Sequence, residues 1–222
     1  MKRKLTMLGL VVLAVLAAAV VPLALAEEEA APEYQSEKNP ATVDIFSSVG
    51  IHEQYIRGTN EKGENLDVKC GIRSTNLVTS TTFPTTSMQT RVAFSSCTVD
   101  GETAAAATNE CEYLFNLTAA SSPATATLKI ICPGAKEIEF ESAKCRIFIP
   151  PQENLKHVIY SNNEAATPPE AVETFSITGL KYWIYNGCRG QTKTESKTNG
   201  IYTDGLKMQA TSGGKQVGFW VK

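Results

Sequence analysis

Histidine is almost missing from this chain: 222 residues hold two, His52 and His157, and neither lies near a cysteine or a second histidine. Zinc coordination wants a C-x2-C pair or clustered histidines, and the two closest cysteines are 13 positions apart. No G-x-S-x-G elbow surrounds a serine, so a Ser-His hydrolase has neither a marked nucleophile nor a ready base. His157, within Lys156-His-Val-Ile-Tyr160, and His52, beside Glu53, read as ordinary strand histidines. Aspartate is scarce too. Asp44, Asp67, Asp100 and Asp204 are scattered, and no D-x-[DN]-x-[DN]-G calcium loop contains them. G-x-G-x-x-G and P-loop patterns are absent, which removes the usual nucleotide cradles. These absences lead to the expectation of no cofactor, no metal and no enzymatic chemistry. Helical periodicity over three turns is also missing, which excludes a helical bundle.

The beginning of the chain reads as an address. Lys2, Arg3 and Lys4 precede an apolar run from Leu8 to Val20, and Ala24-Leu25-Ala26 forms a small-x-small site before Glu27-Glu28-Glu29. That order of parts describes a secretory signal peptide over residues 1–26, cleaved after Ala26. Met7 to Ala26 is also about long enough to span a bilayer as an uncleaved anchor, since roughly 20 residues suffice, but Pro22 and the Ala-Leu-Ala site favour cleavage and no lasting membrane span. Cleavage takes three of the 21 Lys and Arg and none of the 23 Asp and Glu, so the remaining 196 residues carry a net charge of −5. A mildly acidic surface does not attract phosphate backbones, which disfavours nucleic acid as a partner. The expected location is the medium or the cell envelope.

All six cysteines, Cys70, Cys97, Cys111, Cys132, Cys145 and Cys188, lie in the exported part. An even count in an oxidising compartment reads as three disulfides. The sequential pairing 97–111, 132–145 and 70–188 is favoured. A rival stays open: if Ser121-Ser122 centres a simple hairpin, Cys111 and Cys132 face each other and can bond directly.

Residues 27–40 are acidic, contain Ala and Pro, and show no apolar period, as a flexible spacer does. From residue 41 to 222 short alternations take over. Cys111, Tyr113, Phe115 and Leu117 form one such face; Ala126, Leu128, Ile130 and Cys132 another; Cys145, Ile147 and Ile149 a third. Period two with β-branched and aromatic residues marks half-buried strands. Further strands are expected at 42–46, 51–57, 65–70, 75–82, 88–97, 138–140, 156–160, 173–178, 180–185, 201–209 and 216–221. Thr103 to Thr108 reads as a loop or one helical turn, and 165–170 and 186–200 as surface loops. Pro150-Pro151 ends a strand, because neither residue donates to a ladder. The expectation is one all-β domain, an antiparallel sandwich or closed barrel of about a dozen short strands.

Two groups of residues invite a functional reading. Glu137, Glu139 and Glu141 share one strand face, where paired carboxylates could cleave glycosides, although a charged edge that repels strand addition explains them more simply. Trp183 and Tyr185 share another strand face, and Trp220 lies near the end of the chain. Exposed flat aromatics could stack on sugar rings. The Asn116-Leu117-Thr118 sequon falls inside an expected strand and is treated as chance.

The motifs Cys132-Pro133-x-x-Lys136-x-Ile138 and Cys145-x-x-x-Ile149-Pro150-Pro151-Gln152, with Tyr160-Ser-Asn162, Ile177-Thr178-Gly179-x-x-Tyr182 and Phe219-Trp220-Val221, resemble a group of uncharacterised secreted, disulfide-containing β-rich proteins of high-GC Gram-positive bacteria. The resemblance covers roughly Val68 to Val221. It implies bacterial export and a β-rich fold, and assigns no activity. The chain is thus expected to be a secreted, non-catalytic extracellular or cell-envelope protein, binding or structural. One alternative is a carbohydrate-binding module using Trp183, Tyr185 and Trp220, with an extracellular glycan or protein as partner; the other is a carboxylate glycosidase.

Overall fold

Alternation in the sequence becomes alternation in space. In the computed structural model, which describes residues 31–47, 54–59, 62–74, 82–185, 188 and 195–222, Ala124, Ala126, Leu128 and Ile130 point into the core while Thr125, Thr127, Lys129 and Ile131 are half-buried on the opposite face. Fifteen strands form: β1 (Tyr34–Ser36), β2 (Thr42–Ser47), β3 (Gln54–Thr59), β4 (Asn65–Ser74), β5 (Ser87–Val99), β6 (Glu102–Ala107), β7 (Glu112–Ala119), β8 (Ala124–Ile131), β9 (Ile138–Ser142), β10 (Arg146–Ile149), β11 (Gln152–Asn163), β12 (Glu170–Tyr185), β13 (Glu195–Ser212), β14 (Lys215–Val217) and β15 (Phe219–Val221). The described residues contain no α-helix.

The ladder returns on itself. β5 pairs in turn through β7, β8, β11, β12, β13, β3 and β4 back to β5, all antiparallel, which makes a closed eight-stranded barrel. The barrel form of the two expected all-β architectures is the one adopted. A barrel of about eight strands leaves an interior that side chains can fill. Outside the ring, β2 lies along the C-terminal half of β13, and β6, β9 and β10 run as a second bridge from the end of β5 to the end of β12. β1 and β15 pair separately and bring Tyr34, fully buried, against Phe219 and Tyr160.

Pro150-Pro151 breaks the chain between β10 and β11, and Gln152 mends the gap. Its side-chain amide accepts from the Lys181 N–H at 2.9 Å and donates to the Lys181 carbonyl at 3.1 Å, replacing the ladder bonds that β12 loses there. Glycine is required at one nearby crossing. A Cβ on Gly58 would sit 2.6 Å from the Tyr182 ring, whose hydroxyl accepts from the Thr59 N–H at 2.6 Å.

Several expectations change. Of residues 103–108, expected as a loop or helical turn, 103–107 form most of β6, which lies between β5 and β9. Within the presumed 27–40 spacer, Tyr34–Ser36 is a strand anchored by β15. β13 begins at Glu195, inside the expected 186–200 loop. The signal segment with Ala26, the expected strand residues 75–81 and 51–53, and His52 lie outside the described residues.

The disulfides join Cys70 to Cys97, Cys111 to Cys132 and Cys145 to Cys188. The sequential pairing 97–111, 132–145 and 70–188 is therefore corrected, and strand register supplies the reason. Val68 faces Val99 and Lys69 faces Thr98, so the same register sets Cys70 opposite Cys97. Glu112 faces Ile131, and Cys111 and Cys132 meet one step beyond. Three such bonds fit an oxidising environment.

Candidate functional site

On the outer wall, β9, β10 and β12 lay two rows of side chains side by side. Trp183 pairs with Phe148 and Phe148 with Glu139; Tyr185 pairs with Arg146 and Arg146 with Glu141. Trp183 is 37% and Tyr185 42% exposed, and Phe148 is half-buried between the strands. Arg146 sits at the centre. Its guanidinium carbon lies 5.3 Å from the Phe148 ring centre and 5.8 Å from that of Tyr185, and its Nε donates to Glu139 at 3.0 Å. Glu141 pairs with the same Nε at 3.4 Å. The Cys145–Cys188 bond closes just beside this face, with Cys188 Sγ 3.8 Å from the carbonyls of Arg146 and Tyr185. The result is an aromatic platform with a fixed cation and two carboxylates in its surface.

The third expected aromatic does not join it. Trp220 is half-buried on β15, its Nε1 donating to Gln35 Oε1 at 2.9 Å. It lines a pocket of about 430 Å³ with Asn162, Glu164, Pro169 and Lys222, next to the first residue of β12, whereas Trp183 lies near its last. Thirteen strand steps separate Glu170 from Trp183, roughly 43 Å along the strand at ~3.3 Å per residue. An adjoining open pocket of about 610 Å³ shares Asn162, Glu164 and Lys222 and includes Tyr160 and the Ser121–Pro123 turn.

The barrel interior holds the second notable region. Tyr160 on β11 pairs with Glu173 on β12, and Asp204 on β13 pairs with Phe175, diagonal to Glu173. One step beyond the pairs Ile56–Tyr202 and Tyr55–Thr203, the β3 register brings Gln54 opposite Asp204. Glu173 is 0% and Gln54 1% exposed. Tyr34 stands edge-on to Tyr160, ring centres 5.4 Å apart. Both Glu173 carboxylate oxygens, Asp204 Oδ2, both Gln54 amide atoms and the hydroxyls of Tyr34 and Tyr160 make no hydrogen bond. Gln54 and Tyr160 come close enough to favour the charged carboxylates electrostatically, yet fall short of hydrogen-bond geometry. Burial pushes the Glu173 carboxyl well above its usual range, and the nearby Asp204 charge adds to that. Burial likewise lifts Asp204 to about 6, against the opposing Gln54 amide and Gly205 N–H. A buried polar group left without a partner costs about 1–3 kcal/mol, so seven such atoms on five neighbouring inward side chains are a concentrated expense.

The remaining sequence candidates separate. Glu139 and Glu141 do not mark a sheet edge, because β9 lies between β6 and β10, and they pair with Arg146 instead; Glu137 falls just before β9. His157 is exposed at a β11 bulge with φ of 70°. Among the described residues no group of three or more His, Cys, Asp or Glu converges as a metal centre. Sequence reading passed over Glu173 and Asp204, although each shares its strand parity with core residues. Comparison with protein-family models, with curated proteins and with solved structures gives no match.

Proposed function

We propose that the chain is an exported, non-catalytic binding protein whose outer platform of Trp183, Phe148, Tyr185 and Arg146 holds an extracellular glycan. The observation that carries this reading is the pairing of two exposed aromatics with a half-buried one around a fixed guanidinium. Large exposed apolar surface is seldom contiguous without a partner. Sugar rings offer both kinds of contact that this face presents: apolar C–H faces for aromatic stacking, and hydroxyls for a planar five-donor guanidinium and its two carboxylates. Backbone pairing and the Cys145–Cys188 bond preset the arrangement, which lowers the ordering cost of binding. Export through residues 1–26 supplies the compartment in which the disulfides persist.

The test is a glycan array followed by calorimetry on the best hit. Trp183→Ala and Tyr185→Ala should each weaken binding about tenfold or more, near 1.4 kcal/mol, while Trp220→Ala leaves it unchanged. No hit across the array, or a hit indifferent to Trp183→Ala, would sink the reading. N-terminal sequencing of protein from the culture medium should begin at Glu27.

A further inference from the structure

The platform leaves one part of the barrel interior unexplained, where oxygen-bearing side chains gather within an otherwise apolar core. We infer that the buried cluster of Glu173, Asp204, Gln54, Tyr160 and Tyr34 is a binding site for a hard divalent cation of the calcium type. Four of the five donors come from four consecutive barrel strands, β11, β12, β13 and β3, and the fifth from the β1 ribbon packed on them. The two carboxylates are diagonal neighbours on one face, a relation that puts Cβ atoms at most about 7–8 Å apart, within reach of a common ion.

Chemistry selects the ion. Two carboxylates, one amide carbonyl and two phenol oxygens are hard ligands, with no imidazole or thiolate among them. The charge of a divalent cation balances two carboxylates, whereas two bare carboxylates cannot both stay ionised in a dry interior. Gln54 is the independent sign. This neutral amide, 1% exposed and opposite Asp204, has neither of its polar atoms hydrogen-bonded and can turn its oxygen to a metal. Calcium takes six to eight oxygens in flexible geometry, so water completes the set. Tyr160 also lines the open 610 Å³ pocket, which places one donor of the cluster next to that opening.

The test uses the full mature chain, stripped with EGTA and returned to millimolar CaCl2. One calcium per chain by native mass spectrometry, with a rise in melting temperature of about 5 °C or more, is the expected result. Glu173→Gln and Asp204→Asn should each weaken binding at least tenfold. Because either variant could fail to fold, terbium is added to wild-type protein as well, with its emission read through tyrosine excitation. Tyr34 and Tyr160 should sensitise it, and calcium should quench it by competition. No bound calcium, an unchanged melting temperature, absent sensitised emission, or binding indifferent to both substitutions each overturns the assignment and leaves the cluster to water.

Discussion

Glu170 and Glu173 stand three residues apart on β12, both buried, in opposite circumstances. Glu170 points to the outer face, where Lys207 donates at 2.9 Å, Gln209 at 2.8 Å and Asn163 at 3.0 Å. Burial pushes its carboxyl up, but those three donors outweigh it and hold it below the ordinary value. Glu173 points inward, meets no donor of good geometry and is pushed up instead. Burial alone therefore does not set the state of a carboxyl; the number of donors facing it does. An acid with its donors is structural mortar. An acid without them is an invitation to a proton, a water or an ion.

The sharpest way to widen this contrast is pH, with chelator present. Asp204 has its folded value raised from 3.8 to about 6. A raised acid contributes stability that is complete below its unfolded value and lost as pH rises through its folded one. Between about pH 4 and pH 7, wild type should lose on the order of 3 kcal/mol relative to Asp204→Asn, from a shift near two units at 1.36 kcal/mol each. Urea unfolding at both pH values measures the difference, and parallel curves would contradict it. Next comes Glu170→Gln, which should cost about 2 kcal/mol at pH 7, a figure reduced because Lys207 is partly exposed. Its pH sign is the reverse: the Glu170 contribution is present above about 4.5 and fades on acidification through its lowered folded value. Glu173→Gln should then change stability by less than about 1 kcal/mol in chelator at pH 4, below the ordinary carboxyl value, where a neutral amide replaces a carboxyl that burial keeps protonated. A loss like that of Glu170→Gln would erase the distinction. Smallest of all, Trp183→Ala on the open platform should stay within about 0.5 kcal/mol by the same assay.

Much of the architecture was legible because strands announce themselves by parity. β7, β8 and β10 lie within one or two residues of where their alternations put them. Disulfide pairing was legible only where a hairpin fixed the register; the Ser121-Ser122 turn pointed to Cys111–Cys132, while Cys70–Cys97 needed the β4–β5 pairing that no local signal reveals. β6 escaped because Thr103-Ala-Ala-Ala-Ala-Thr108 has neither bulk nor contrast. The platform was half visible: Trp183 and Tyr185 share a parity, but Phe148 and Arg146 join them only through the β10–β12 ladder. The buried cluster was hidden for a similar reason. Its donors span residues 34 to 204, so no contiguous cation loop exists to find. The available clue was an acid at an inward parity, Glu173 in step with Phe175 and Ile177, and Asp204 in step with Tyr202 and Leu206.

The β1–β15 pairing has a consequence for orientation. It sets Glu33 against Lys222 through mutual backbone bonds, so the chain enters and leaves the barrel at one pole. β15 also touches Pro169, just before β12, and β12 then runs the barrel's length to Tyr185. Anything fastened at Glu33 or Lys222 therefore holds the molecule like a stalk. The aromatic face is then presented at the far pole, clear of the surface to which the stalk is attached.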